Sequence, residues 1–600
     1  MMLNILKNFF SILTKGQRKS FYILQILVIS MTIAEIASIA LIVPLMALVS
    51  DLSILERENL LAAIYLKSNI VGPYNFMFYL SIVVLINLTI AAIFSMFVTW
   101  RMSMFATKVG VEIGDKLYSY YLSQDWLFHT MGSSSNMTKK IANETTRITN
   151  EILLPTMILN ARIVLALFII LFMFIYDPII LTISLIIFGS TYIILYKFVQ
   201  KRLTVNSKQI SDMFLKRFKL MSEGFGGIKE ILLLGRTENL KQNFFKTGDK
   251  LAYSEGNNRT IAQLPKYLLE LLVFSSMIFL ILYLIAVNDE NLVTILPILS
   301  VYALVAIKLL PALQQIYFSI AVIKGNLSAY ETIRDDLNNA NMRVSQDTLS
   351  HSDSDWSKSN KIDLKNITFT YPGNAIPSIN NISLTIKPNT LIGFVGTSGS
   401  GKSTLIDIII GLINPQKGQI KIDETILNNQ NIRTWQNKIG FVPQEIFLTA
   451  GSIAENITFG IHRDLIDYNQ VNKAIKLAHL DEWVSELDHG INTKIGERGV
   501  KISGGQKQRL GIARALYYDA DLIVFDEGTS SLDGISEKKI MKAVHDLTSQ
   551  KTLIMIAHKL QTVKKCDQIY MMEKGQIVDN GTYQQLIEGN KKFKEMSFNS

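Results

Sequence analysis

Gly396-Thr397-Ser398-Gly399-Ser400-Gly401-Lys402-Ser403-Thr404 follows the apolar run Leu391–Val395 and opens an apolar stretch that continues to Ile413. An apolar strand, a glycine-rich turn and an apolar helix, in that order, are the setting of a phosphate-binding loop. The glycines let the backbone curl so that successive amides face phosphate oxygens, and the helix N-terminus adds partial positive charge. Lys402 is spaced to reach the terminal phosphates, and the Ser403 hydroxyl to bind Mg²⁺. All nine residues, Gly396 through Thr404, are therefore candidate nucleotide contacts.

Working outward from this loop, KIDLKNITFTY from Lys361 and TLIGFVG are short β-rich runs that alternate with helical ones. The alternation predicts an α/β P-loop domain with a largely parallel core sheet over 361–600. Downstream, Leu522-Ile-Val-Phe-Asp526-Glu527 reads as a buried strand ending in two carboxylates. In open α/β sheets ligands bind at that end of the strands. Asp526 is thus a candidate for the Mg²⁺ shell, and Glu527 for general base on an attacking water. Residues 335–360 are rich in Ser, Asp and Asn and read as a polar linker.

The chain before the linker has another character. The 600 residues are 49% hydrophobic, with mean hydropathy +0.25, and the apolar residues concentrate ahead of residue 325. About 20 apolar residues cross a bilayer as a helix. Six stretches qualify, near Phe21–Val49, Phe76–Val98, Ile152–Tyr176, Ile179–Phe198, Leu264–Val287 and Val293–Val322, so 21–334 is expected to be a six-helix membrane domain with long cytoplasmic extensions. Lys197–Lys266 holds fourteen Lys and Arg against six Asp and Glu, whereas Asp51–Pro73 holds two against three. The positive-inside bias then places both termini, the long connections and the soluble domain in the cytoplasm. Turning points near Ser123–Ser134 and Glu223–Ile231 are candidates for touching the soluble domain. Residues 1–20 mix Lys7, Lys15, Arg18 and Lys19 with Phe9, Phe10, Ile12 and Leu13, and read as an amphipathic segment on the membrane surface with no cleavage site. The net charge of +10 sits beside apolar spans, which favours a lipid surface over nucleic acid as partner. With Cys566 as the one cysteine, no internal disulfide is possible, and the thiol reads as a packing residue.

The segment GERGVKISGGQKQRLGIARAL, Gly496–Leu516, resembles the signature region of ATP-binding-cassette transporters, with Ile502 where Leu is usual. The resemblance covers Lys361 to about Asp579 and implies an ATPase that uses ATP and Mg²⁺. It assigns Ser503, Gly504, Gly505 and Gln506 to the nucleotide, and Tyr371 of FTYPG to adenine. Gln444 of FVPQE falls to the Mg²⁺ shell and the link to the membrane domain. Asp533 of SSLD falls to a dimer-contacting loop, and His558 of IMIAHKL to the γ-phosphate. TKIGERG, Thr493–Gly499, is similar to a contact loop of exporters. In such cassettes each ATP lies between one chain's phosphate loop and the other chain's signature turn, which implies a homodimer with two equivalent sites.

Charges inside apolar spans are costly and mark candidate substrate contacts. They are Glu35, Arg162, Lys266, Glu270 and Lys308, of which Lys266 and Glu270 are spaced to pair on one helix face. The stretches EIASIALIVPLMALVSD, LPKYLLE and IKLLPALQQI resemble bacterial lipid-linked oligosaccharide flippases, which carry basic residues near the positions of Lys266 and Lys308. That resemblance implies a polyprenyl-pyrophosphate lipid as substrate and a bacterial inner membrane as location. The alternative is a general exporter of drugs, lipids or peptides, favoured if these charges are paired off.

Overall fold

The computed structural model describes residues 13–50, 52–56, 60–287, 292–344, 360–496, 499–526, 550–557 and 559–598. The chain divides into two compact units, one of Met1–Gln124 with Phe128–Asp347, the other of Asp125–Leu127 with Thr348–Ser600.

The first unit is built from long helices: α1 (Lys15–Ser50), α2 (Pro73–Leu122), α3 (Leu154–Tyr176), α4 (Pro178–Gly226), α5 (Thr237–Val287) and α6 (Leu292–Val344). Six helical stretches among the described residues are long and apolar enough to cross a membrane. With 49 residues in α4, that helix runs ~75 Å, more than twice a hydrocarbon thickness of ~30 Å. The sequence explains why α3 and α4 part at Asp177-Pro178. Asp177 is extended at φ −151°, Pro178 occupies the first helical position, and the Asp177 carboxylate accepts from the amides of Ile179 and Ile180 at 3.1 Å each. Proline lacks the amide that an uninterrupted helix needs, while Asp satisfies the orphan donors of the next one.

Two expectations change here. Lys15–Ser20, read as a surface segment, already belong to α1, and residues 1–12 lie outside the described residues. The polar stretch from Asp335, read as linker, continues α6 to Val344. Leu337 and Ala340 are buried there in one cluster with Leu13, Ile113 and Leu117, so tertiary packing overrides a composition that looks loop-like. Residues 345–359 lie outside the described residues.

Ahead of α3 the chain runs helically from Ser134, with two π-turns, Lys140–Glu144 and Thr149–Leu153. They flank a buried ionic group. Glu144 is fully buried, 3.0 Å from the Lys139 ammonium and 2.8 Å from Nη1 of Arg147. Arg147 places three further donors on Ser211 Oγ at 2.8 Å and Asn326 Oδ1 at 3.1–3.2 Å, tying this segment to α4 and α6.

In the second unit, β3 (Leu391–Val395), β6 (Ile439–Val442), β7 (Leu522–Asp526), β8 (Thr552–Ile556), β9 (Gln568–Glu573) and β10 (Gln576–Gly581) form a sheet ordered β10-β9-β3-β8-β7-β6. All its pairings are parallel except β10 on β9. Every residue of β3 and β8 is buried, the continuous apolar pattern of strands covered on both faces. The run from Lys361 does not join this sheet. It forms β1 (Ile362–Phe369), which pairs antiparallel with β2 (Ile379–Ile386) and β4 (Lys417–Ile422) in a second sheet, with the short β5 (Thr425–Ile426) paired to β4. Helix α7 (Lys402–Ile409) contributes Leu405, Ile406, Ile408 and Ile409 to the core that holds residues of both sheets.

Cys566 is buried in a second core of this unit, which also holds Val563, Ile569 and Met571, its sulfur 3.2 Å from where a Cβ on Gly393 would stand. Burial, with a smaller contribution from Asp567, pushes its thiol up to about 12. Only the thiolate reacts, so alkylation by iodoacetamide at pH 7.5 is expected to be at least ~100-fold slower in the folded protein than in urea. A native rate within tenfold of the urea rate would mean that this core opens freely.

Candidate nucleotide site

The phosphate loop spans the turn between β3 and α7. Gly396 has φ +150°, and a Cβ there would lie 2.2 Å from the carbonyl oxygen of Met572. Gly401 has φ +99°, and a Cβ there would meet Ser378 O at 2.6 Å. Both positions combine a backbone that side chains rarely adopt with no room for one. Inside the loop, Lys402 is 5% exposed and donates to Gly396 O at 2.9 Å, Thr397 O at 3.0 Å and Ser400 Oγ at 3.4 Å. The ammonium is thus held among oxygens of the loop that precedes it. Ser403 is exposed at the start of α7, and Thr404 is mostly buried beside Tyr371, whose phenol lies 3.3 Å from Thr404 Oγ1. Tyr371 also stacks edge-on against Phe369 at 5.0 Å between ring centroids.

Parallel pairing brings the ends of β3, β6 and β7 to one edge. Asp526 closes β7 there, half-buried, and Gln444 is exposed two residues beyond β6. Asp407, one turn along α7 from Ser403, is raised to about 6 by burial and by the nearby Asp526 carboxylate. A hydroxyl (Ser403), a carboxylate (Asp526) and an amide oxygen (Gln444) are hard donors of the kind Mg²⁺ takes, so the residues present fit that ion.

Ser503 caps α8 (Gly504–Tyr517). Its hydroxyl accepts from Gln506 N at 3.2 Å while Gln506 Oε1 accepts from Ser503 N at 2.8 Å. This reciprocal cap leaves Ser503 and Gly504 exposed at the positive end of a 14-residue helix, a surface suited to phosphate. Neither a hydrogen bond nor an ion pair joins Ser503–Gln506 to the phosphate loop among the described residues. Glu527, Asp533 and His558 lie outside the described residues.

In the helical unit, Arg162 and Glu35 form an ion pair at 3.6 Å, and Ser95 Oγ donates to Glu35 at 3.4 Å. Lys266 stands 3.9 Å from Glu270, which also accepts from Gln314 at 3.2 Å. Lys308 is half-buried and has no ion pair or hydrogen bond among the described residues. An apolar cavity of about 130 Å³ lies between α3, α4, α5 and α6, lined by Met173, Ile180, Phe188, Val273, Leu309 and Leu313 among others. Sequence reading missed a second, polar cavity of about 360 Å³ lined by Arg147, Glu151, Glu255, Arg259 and Gln263. The one signal for it was the four-residue spacing of Glu255, Arg259 and Gln263 on a single helix face.

This arrangement is that of an ABC transporter domain, and residues 379–530 match the family described as ABC transporter. The chain as a whole shares the fold of a bacterial Atm1-family ABC exporter with ATP bound, on which it superposes at a TM-score of 0.76, with 19% identity over 98% of both chains. It is a multi-pass membrane protein with an ATPase domain of the transport class, using ATP and Mg²⁺. Among characterised relatives it is similar to the ATP-dependent lipid A-core flippase of Shewanella denitrificans, 26% identical over 497 residues that cover 82% of this chain and 80% of that one. The Escherichia coli K12 protein of the same name is 26% identical over 80% of this chain and 81% of its own. That of Wigglesworthia glossinidia brevipalpis is 39% identical over 228 residues, 38% of this chain and 39% of its own.

Proposed function

We propose that two copies of this chain use ATP to flip an amphipathic anionic lipid across a bacterial inner membrane, with both termini and the ATPase domains in the cytoplasm. The lipid-linked oligosaccharides, anchored by polyprenyl pyrophosphate, are the substrate class favoured. The observation that carries this reading is Lys308, a half-buried lysine in an apolar span without a partner among the described residues. An unpaired cation at that depth is costly unless an anion visits it. Lys266, loosely paired at 3.9 Å and half-exposed, is the second cation of the path, while Arg162 and Glu35 form its paired wall. The apolar cavity between α3 and α6 suits a hydrocarbon chain, and the lipid-flippase names of the relatives agree with a lipid cargo.

In the ATPase half, Tyr371 stacks on adenine, the amides of Gly396–Thr404 and Lys402 hold the phosphates, and Ser403, Gln444 and Asp526 hold Mg²⁺. Glu527 aligns the attacking water, and His558 reads the γ-phosphate. The capped end of α8, Ser503–Gln506, binds the γ-phosphate of ATP held by the partner, with Asp533 at the same dimer seam. ATP binding then draws the two domains together, and hydrolysis releases them.

The general-exporter reading has one observation in its favour, since Glu35–Arg162 and Lys266–Glu270 are paired. ATPase assays in liposomes separate the two. A flippase is stimulated by polyprenyl-pyrophosphate oligosaccharide, and Glu527→Gln abolishes the response. Turnover that ignores this lipid yet rises with amphipathic drugs would overturn the flippase reading. Lys308→Ala is expected to raise the half-stimulating lipid concentration about tenfold, the worth of one charge-assisted contact of ~1.5 kcal/mol. An unchanged dose response would remove Lys308 from the path.

A further inference from the structure

The polar cavity carries a charge pattern that a purely anionic ligand does not explain. Glu255, Arg259 and Gln263 follow one another at successive turns of α5, and Glu151 faces them from the segment that leads into α3. None of Glu151, Glu255 and Arg259 has an ion pair or hydrogen bond among the described residues. Arg147 forms the back wall, with four of its five donors engaged by Glu144, Ser211 and Asn326. Asn258 is likewise occupied, accepting from Asn206 at 2.9 Å and donating to Gly325 O at 3.2 Å. The groups without an ion pair or hydrogen bond are therefore two carboxylates, one guanidinium and the Gln263 amide around about 360 Å³ of space, with Arg259 and Arg147 near enough to Glu151 to attract its carboxylate.

Two half-buried carboxylates facing one cavity repel an anion and attract a cation, whereas the exposed Arg259 does the reverse. Arg259 lies seven residues before Lys266, ~10 Å along the helix and on the side away from the apolar span. A headgroup whose anionic part is held by Arg259, with Lys266 above it, brings anything attached one turn further down to Glu255 and Glu151.

We infer that this cavity is a headgroup subsite for a zwitterionic lipid, in which Arg259 takes a phosphate and Glu151 with Glu255 take an ammonium about one helical turn away. The inference rests on the lipid reading above and specifies the headgroup as one that carries an amine beside the phosphate. Charge-assisted hydrogen bonds to the ammonium supply the selectivity, because each loses its partner when the amine is removed or acetylated.

The test is equilibrium binding to the full chain in dodecyl maltoside, read by fluorescence anisotropy with probes sharing one labelled acyl chain. The probes are lysophosphatidylethanolamine, its N-acetylated form and lysophosphatidylglycerol. The amine probe is expected to bind at least about tenfold tighter than the other two. Glu255→Gln and Glu151→Gln should each bring the ratio towards one, while Arg259→Gln should weaken all three probes and leave the ratio above one. Because the readout is a ratio within each variant, a general loss of folded protein does not mimic it. Unlabelled dodecyl phosphoethanolamine and a dodecyl glucosamine phosphate then compete for the site. Displacement by the first alone points to a phospholipid source and by the second alone to an amino-sugar source. Displacement by both supports the shared chemistry, and displacement by neither overturns the inference. Equal affinity for the three probes, or a ratio unmoved by both Glu variants, would also overturn it while leaving the lipid reading intact. Failure of every probe to bind would count against both.

Discussion

Lys402→Ala is expected to lower MgATP hydrolysis by about 10²–10³-fold, the ~3–4 kcal/mol lost when a preorganised donor to transition-state charge is removed. The side chain is 5% exposed and its ammonium lies among Gly396 O, Thr397 O and Ser400 Oγ. When nucleotide occupies the loop, phosphate oxygens replace these neutral partners and the same charge acts on the bond that breaks. A simpler account is that the substitution merely collapses the loop. It is separated by measuring binding of a fluorescent ATP analogue and the thermal midpoint alongside turnover. Loop collapse abolishes binding and lowers the midpoint together. Loss of the charge leaves a folded domain whose hydrolysis falls more than its nucleotide affinity. Residual turnover above about a tenth of the parent rate would sink the assignment of Lys402.

Much of this site was legible because its parts are local. GTSGSGKST declares itself from its own residue types, and the structure adds the reason for two of its glycines, which face Met572 O and Ser378 O. The burial of LIVF before Asp526 follows from four apolar residues in succession. The cap of α8 is as local, but the structure supplied it: Ser503 and Gln506, assigned in sequence to the nucleotide alone, also pair reciprocally. What escaped was set by neighbours distant in sequence. Ile362, Leu364, Ile367 and Phe369 read as a strand, but that they pair antiparallel in a sheet of their own is recorded by no residue within the run. Asp335–Val344 read as linker because Asp, Asn and Arg outnumber its apolar residues. The two positions that decide the matter, Leu337 and Ala340, are buried in a cluster with residues some two hundred positions away. The charges of the spans were visible singly. That Arg162 meets Glu35 across 127 positions, while Lys308 meets nothing among the described residues, is a property of the packing.

The second large effect concerns stability. Glu144→Ala is expected to destabilise the helical unit by about 3–5 kcal/mol, because it leaves the Lys139 ammonium and the Arg147 guanidinium buried without their counter-charge. Both are nearly inaccessible, 3% and 8% exposed, so water cannot take the place of the carboxylate. The Lys139–Glu144 contact is ionic without hydrogen-bond geometry at Oε1, whereas Arg147 makes the directed bond to Oε2. Arg147 therefore loses more than Lys139, and Arg147→Met should rescue part of the deficit in the Glu144→Ala background. Replacing all three groups, as Lys139→Met, Glu144→Leu and Arg147→Met, is expected to restore stability to within about 1–2 kcal/mol of the parent, since an apolar trio of similar volume avoids the desolvation that the ions suffer. Thermal unfolding of the detergent-solubilised chain, followed by helical circular dichroism, should drop by about 10 °C for the single variant and recover in the triple one. If Glu144→Ala unfolds with the parent, the ionic group contributes no net stability, and the two π-turns around it must be held by the Ser211 and Asn326 contacts alone. If the triple variant is as unstable as the single one, the network acts through directed bonds across α4 and α6, and charge neutralisation is the lesser part.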